Sequence, residues 1–335
     1  MGLRLGVAGI DHLHLFGLVQ GLLDAGAETT AHVADGELLG LYEDWRDESV
    51  ATELPTMLAE FDIDVVVTAA VPSQRADIAV AALEAGKHVL SAKPGVTTLA
   101  DLARVREAVA ASGHRWVVLF TERFENRAVA EAVRLATDGA IGRVVHVVGA
   151  GPHAFNREGR PEWFFDPGRS GGILADLASH QADQFLAITG ADDAIVAASA
   201  VGNVSCPEHP AMQDVGSMRL LGGGAVGDHR VDLLSPAGLG TWGDTRLHVV
   251  GTEGTLEVRA NIDPAGQPGA EHLIVVDAEG TRRVDCSNVV LDWAERFGAD
   301  LADGTETLMT QHHVVDVCRL TLEAQSQATN WASLE

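Results

Sequence analysis

Three side chains of this 335-residue sequence, Asp176, His180 and Lys93, have types that can move a proton and stabilise a developing negative charge. Asp176 and His180 stand four residues apart in a segment that runs from Ser170 through Gly171 and Gly172. That spacing makes them neighbours on one helix face, which Asp183 and Gln184 continue. Taking a proton from O–H while hydride leaves the carbon calls for a base active near neutral pH. Histidine, unperturbed at about 6.5, is the natural choice. An ammonium group stabilises the alkoxide as it forms, and Lys93 is one of only two lysines, Lys87 being the other. Asp176 either orients the imidazole or contacts the substrate. Taken alone, the Asp–His pair reads better as a solvated pair on a surface helix; the glycines before it and Lys93 tip the balance toward an active site.

A place for a dinucleotide lies at the start of the chain. The segment Gly9-Ile10-Asp11-His12-Leu13-His14 joins a short apolar run to an apolar helix. Gly9 suits the tight turn, and the helix N-terminus offers N–H groups and a positive dipole end to a pyrophosphate. Only the first glycine of G-x-G-x-x-G is present, so an ordinary βα turn is an equal reading. Asp11, unfavourable beside a phosphate, is expected to cap the helix instead. Asp35 follows the second strand, where an acid accepts bonds from the ribose hydroxyls, and no arginine adjoins it to welcome a 2′-phosphate. NAD is therefore expected over NADP. The candidate cofactor contacts are Gly9, Ile10, Asp11, His12, Asp35, Ala70 and Lys93. His12 and His14 lack a third ligand at a recognisable spacing, and no metal is expected.

The elements that must position these groups follow from the rhythm of the chain. In its first third, apolar runs at 3–8, 28–34, 64–70, 88–91 and 116–121 alternate with helical stretches at 14–25, 76–85 and 98–112. A second strand-like run covers 38–42 and ends in Glu43 and Asp44. This alternation predicts βαβ units and a doubly wound parallel sheet over 1–122, the nucleotide-binding domain. From 123 the rhythm changes. A helix at 127–137, a strand at 144–150 and a Gly/Pro-rich loop at 151–171 precede a helix at 172–190. Six extended segments between 195 and 285 predict one large open mixed or antiparallel sheet, and a helix at 307–328 closes an α+β domain over 123–335. Arg123, His153, Trp163 and Asp183 are the candidate substrate contacts, with Glu122, His209 and Trp242 behind them.

Composition narrows the partners. With 48 acidic against 23 basic residues the net charge is −25, which excludes nucleic acid and anionic membrane as partners. No long apolar span or signal-peptide pattern is present, so a cytoplasmic protein is expected. Cys206, Cys286 and Cys318 are scattered and predict buried thiols, not a disulfide framework.

Two motifs together are specific. Ala85-Gly86-Lys87-His88-Val89 leading to Lys93-Pro94, followed by Gly171-Gly172, Asp176, His180 and Asp183, resembles the Gfo/Idh/MocA family of glucose–fructose oxidoreductase and inositol dehydrogenase. Ala140-Ile141-Gly142-Arg143-Val144, Arg123-Phe124 and Gly251-Thr252-Glu253-Gly254 add to the resemblance, which spans nearly the whole chain. It implies a lysine at Lys93 near nicotinamide and substrate oxygen, an acid at Asp176, a general base at His180, and a cis bond before Pro94. The chain departs from the family pattern at Ala92, where a glutamate is usual, at Arg75, where a histidine is common, and in its depleted glycine fingerprint. The implied activity is hydride transfer between nicotinamide and a secondary alcohol of a sugar, polyol or related small molecule. The resemblance also admits a tightly held, recycled NAD and a non-catalytic NAD-binding regulator. A large sheet with one face covered by helices further predicts a homo-oligomer built through the other face.

Overall fold

Residues 2–331 are described by a computed structural model, and they divide into two compact units. The first comprises Met1–Leu119, Gly168–Gly171 and Asp292–Cys318; the second comprises Phe120–Pro167, Gly172–Leu291 and Arg319–Glu335.

In the first unit, continuous apolar runs form strands because helices cover both faces of the sheet. β1 (Arg4–Ile10), β2 (Glu28–Val33), β3 (Val50–Thr52), β4 (Val65–Ala69), β5 (His88–Ala92) and β6 (Trp116–Leu119) pair in the order β3-β2-β1-β4-β5-β6. All five pairings are parallel, and every residue of β4 and β6 is buried. This is the order of the doubly wound nucleotide-binding fold, whose ligand crevice opens at the carboxyl ends of β1 and β4, where the order reverses. Helices α1 (His14–Asp24), α2 (Leu39–Trp45), α3 (Leu54–Glu60), α4 (Arg75–Glu84) and α5 (Leu99–Ser112) make the crossovers. Thr98 caps α5 by accepting from the Asp101 N–H, and Gly113 ends it at φ 70°.

Two expectations change here. The run at 38–42 is not a strand: most of it lies in α2, which buries Tyr42. Nor does Asp11 cap α1. Its carboxylate accepts from Glu37 N and Val71 N at 3.0 and 3.3 Å, while His12 Nδ1 accepts the His14 N–H at 3.1 Å.

A helix that the sequence reading missed completes this unit. α11 (Trp293–Asp303) lays Trp293 where a Cβ on Gly21 of α1 would stand 2.3 Å from the indole, so only glycine admits the contact. Gln311 then acts as an edge partner of β6. Its Oε1 accepts from Trp116 N at 3.1 Å, and its Nε2 donates to Trp116 O at 2.9 Å.

The second unit is a nine-stranded sheet in the order β14-β13-β12-β11-β7-β10-β9-β8-β15. Its strands are β7 (Val144–Pro152), β8 (Ile195–Gly202), β9 (Val215–Gly222), β10 (Ala225–Asp232), β11 (Arg246–Gly251), β12 (Gly254–Arg259), β13 (His272–Asp277), β14 (Gly280–Val284) and β15 (Thr329–Asn330). β7 runs parallel to β10 and β15 to β8; the remaining pairings are antiparallel. Helices α6 (Thr121–Phe124), α7 (Arg127–Thr137), α9 (Gly172–Asp176) and α10 (Ser179–Thr189) precede most of these strands, while α8 (Pro167–Ser170) falls mostly in the Gly168–Gly171 segment of the first unit. Alternation sets the inner face: Val147, Met218, Leu220, Val231, Leu247, Val249, Leu256 and Val258 are buried, and α7 and α10 pack against the sheet. The other face shows Val148, Leu221 and a polar group in which Asp228 bonds His146 and Arg219 at 2.8 and 2.7 Å.

The expected closing helix is α12 (Gln311–Gln327), shorter at its start than read. Among the described residues no helix is long and apolar enough to cross a membrane. No disulfide joins the three buried cysteines.

Candidate active site

On the nucleotide-binding unit, the predicted contacts Gly9, Ile10, Asp11 and Ala70 come together at the β1/β4 crevice. Gly9 has φ 78°, and a Cβ there would stand 2.2 Å from the Ala70 Cβ, so the close crossing of the two chain segments requires glycine. The Ile10 carbonyl accepts from Leu38 N at 2.9 Å, and Gly36, at φ 130°, lies against that same carbonyl. Asp35 is exposed just beyond β2, its Oδ1 accepting from Gly36 N at 2.9 Å. Glu43 is occupied differently: it meets His32 Nε2 at 3.3 Å. A crevice at the reversal of strand order, a glycine turn over Ala70 and an exposed acid after β2 fit NAD. His12 and His14 pack ring against ring at 4.3 Å.

Lys93 follows β5 and is 5 % exposed, and the Lys93–Pro94 bond is cis, as the resemblance implies. The group that fixes this segment is one that sequence reasoning noticed only as a departure. Arg75, 1 % exposed at the start of α4, donates through Nη1 to the carbonyls of Ala92 and Pro94 at 2.9 and 2.8 Å. Its Nε donates to Ala70 O at 2.7 Å. One guanidinium therefore ties together the cofactor crevice and both neighbours of Lys93.

On the second unit, the helix read as continuous from 172 to 190 is broken. α9 ends at Asp176 and α10 starts at Ser179. Ser179 Oγ donates to Asp176 O at 2.9 Å, and His180 N reaches Leu177 O at 3.3 Å, a tightened turn in place of a regular one. Asp176 and His180 thus flank a turn; they do not share one helix face. His180 is 2 % exposed.

α10 is nearly all buried because polar partners receive its polar face. Arg123 and Asp183, both read as substrate contacts, bond each other: Nε to Oδ2 at 2.7 Å and Nη2 to Oδ1 at 2.6 Å. The neighbouring Glu122 is buried and accepts from Gln181, Gln184 and Thr245 at 3.1, 3.3 and 3.1 Å. These two consecutive residues of α6 clamp the helix that carries His180. His153 packs on Trp242 with ring centres 4.6 Å apart. Trp163 is buried beside Phe164 in an aromatic cluster.

Cys206, Glu208 and His209 group their donor atoms within 4.8 Å. Arg157 holds Glu208, His209 stacks on Phe165 at 4.1 Å, and burial, with Glu208 nearby, raises the Cys206 thiol.

Comparison with known proteins bears on the family and the fold. Residues 7–120 match the profile described as oxidoreductase family, NAD-binding Rossmann fold, and residues 129–257 match the GFO/IDH/MocA C-terminal domain. A crystal structure from Erwinia carotovora atroseptica SCRI1043, assigned as an oxidoreductase, is 34% identical and superposes with TM-score 0.95 over 98% of this chain and 100% of that one. The scyllo-inositol 2-dehydrogenase (NAD(+)) of Bacillus subtilis is 28% identical over 268 residues, 75% of this chain and 71% of its own. Levoglucosan dehydrogenase, solved with NADH and levoglucosan, shares the fold at TM-score 0.80 and 19% identity, over 97% of this chain and 98% of that one.

Proposed function

The chain belongs to the Gfo/Idh/MocA family of NAD-binding oxidoreductases, and from that premise we propose that it oxidises a secondary alcohol of a small polyhydroxylated molecule through Lys93, Asp176 and His180. NAD+ bound at the β1/β4 crevice supplies the hydride acceptor. His180 takes the hydroxyl proton, Lys93 stabilises the developing alkoxide with its ammonium, and Asp176 receives a hydrogen bond from the imidazole or from a second substrate hydroxyl. Arg75 holds the backbone on either side of Lys93, and Glu122 with Arg123 holds α10 beneath His180. The observation that carries the reading is Lys93 itself: a buried cation after β5, in a chain that otherwise has one lysine.

Sugar and polyol dehydrogenases among the relatives support the same substrate class. The protein acts in the cytoplasm as a homo-oligomer built on the outer face of the nine-stranded sheet, where Val148 and Leu221 stand exposed beside the Asp228 group. A monomer in light scattering would remove that last inference.

The test is NADH formation from a panel of polyols and sugars by wild type and His180→Ala, with NADH affinity measured alongside. Wild type should turn over at least one of them, and the variant should lose turnover by about 10²-fold or more while keeping the cofactor. Normal turnover by the variant removes the role of His180. Tight NADH binding with no turnover on any panel member would point instead to a binding protein.

A further inference from the structure

The loop between β8 and β9 holds a group of side chains that the proposed reaction does not use. In the run Cys206-Pro207-Glu208-His209, a sulfur, a carboxylate oxygen and a ring nitrogen lie within 4.8 Å of one another. The Cys206 thiol meets Glu208 Oε1 at 3.5 Å. Cys206 is buried, His209 half-buried and Glu208 exposed, so the group opens toward solvent at Glu208.

Other residues build the turn that gathers these donors. Asn203 donates through Nδ2 to the carbonyls of Cys206 and His209, both at 2.9 Å, and its Oδ1 accepts from Cys206 N at 3.0 Å. Asp214, fully buried, accepts from Val204 N at 2.8 Å and from Ser205 N and Oγ, both at 2.6 Å. The His209 ring lies on Phe165 with planes 19° apart, which sets its orientation. Arg157 donates to Glu208 Oε1 and to Ser205 O, tying the carboxylate to the loop backbone. A backbone fixed in this way brings three donors together at little ordering cost on binding.

The donor set selects its ligand. A thiolate and a carboxylate, with a neutral imidazole, together balance a dication. Sulfur and imidazole nitrogen suit a borderline ion such as zinc, whereas magnesium and calcium take oxygen. Zinc bonds of about 2.0 to 2.3 Å place tetrahedral ligands about 3.3 to 3.8 Å apart, a contraction within reach of side-chain rotation. We propose that Cys206, Glu208 and His209 bind a divalent ion of the zinc class, with water in the fourth position, and that the ion clips the β8–β9 loop. On binding, the Cys206 S–H bond breaks, the sulfur keeps the electron pair for the metal, and the proton leaves to solvent. Nothing in this depends on the dehydrogenase reading.

The experiment titrates Co2+, a spectroscopic substitute for Zn2+, into the whole chain after chelator treatment under reducing conditions. Wild type should develop a thiolate-to-cobalt charge-transfer band that saturates at a single equivalent, and Zn2+ should displace it. Cys206→Ser should abolish the band, while His209→Gln and Glu208→Gln should each weaken binding about tenfold or more. Cys286→Ser, at a buried cysteine elsewhere, should change nothing. Saturating Zn2+ should raise the melting temperature of wild type and leave that of the three ligand variants where it was. Circular dichroism of the metal-free variants checks folding, and the two less buried positions, His209 and Glu208, decide the matter should Cys206→Ser not fold. No band in wild type, a band that survives Cys206→Ser, or full affinity in both His209→Gln and Glu208→Gln each overturns the site. A band without any rise in wild-type melting overturns the clip.

Discussion

Arg75 donates to the carbonyl oxygen of Pro94 across 2.8 Å, and the same nitrogen reaches Ala92 O on the other side of Lys93. The residue whose ammonium is to stabilise an alkoxide is therefore held by its backbone neighbours, from a side chain in a different βα unit. Lysine at position 75 offers a single ammonium and cannot span three carbonyls in a fork. Arg75→Lys should lose about 1–3 kcal/mol of stability and lower kcat about tenfold or more, a loss exceeding any change in NADH affinity. Urea unfolding and steady-state kinetics on the same preparation separate the two effects. A folded variant with unchanged kcat would show that the tie is structural alone.

Lys93 provides the complementary test. Lys93→Met keeps length and removes charge, so NADH should still bind while kcat falls about 10²-fold or more, as expected when one stabiliser of a developing oxyanion is lost. The control is Lys87→Met at the other end of β5, which should leave kcat alone. Equal effects from the two lysines would deny Lys93 a special role.

Asp35 governs cofactor choice if it faces the ribose. Asp35→Ser should weaken NAD by about tenfold, the loss of a charge-assisted bond or two, and narrow the preference over NADP. Affinities for both reduced cofactors, measured by fluorescence, check this. An unchanged ratio would return the role to another residue.

Much of this was legible in sequence, and the failures have physical causes. Strands buried on both faces, such as Val65–Ala69, announce themselves because their residues are almost all apolar. β3 was missed because it is a three-residue edge strand with two exposed positions, and β14 because four of its five residues are exposed and show no alternation. The 38–42 run is apolar enough for a strand, yet its neighbours need only Tyr42 inside, which a helix supplies. Lys93, Asp176 and His180 stood out by chemical type and motif. Their supports did not, because Arg75 bonds backbone carbonyls, and a carbonyl carries no sequence signal. Arg123 and Asp183 were visible as charged residues, but 60 residues separate them, and nothing in the order of residues says that they bond each other.

That pair makes a stability prediction. Asp183 is fully buried and Arg123 nearly so, with 0% and 13% of their side chains exposed. Arg123→Ala leaves a buried carboxylate without its bidentate partner and should cost about 3–5 kcal/mol. Replacing both, as Arg123→Met with Asp183→Leu, should cost clearly less than the sum of the single changes. Urea midpoints of the four proteins complete the cycle, and simple additivity would mean the two residues act independently.

Acid sensitivity should trace to a histidine outside the site. His229 of β10 is 4% exposed, and neither ring nitrogen has a hydrogen-bond partner among the described residues. Burial, with His146 adding to it against the pull of Asp228, brings its pKa from 6.5 to about 4. Between those values the unfolded chain binds the proton and the folded one does not, so stability falls as pH drops through this window, by up to roughly 3 kcal/mol. Asp300 does not confuse the reading. Its burial is outweighed by bonds from Leu308 N and the Thr305 and Thr307 groups, which hold it at about 2, so its contribution is lost only below about 3.8. His229→Leu removes an unsatisfied polar ring at similar volume. It should leave stability at pH 7.5 equal or higher and flatten the decline between pH 6.5 and 4. Thermal melts across that range decide the matter: parallel curves for wild type and variant would place the acid-sensitive group elsewhere, with His88, also lowered to about 4 by burial and by its neighbours His114 and Arg115, next to be replaced.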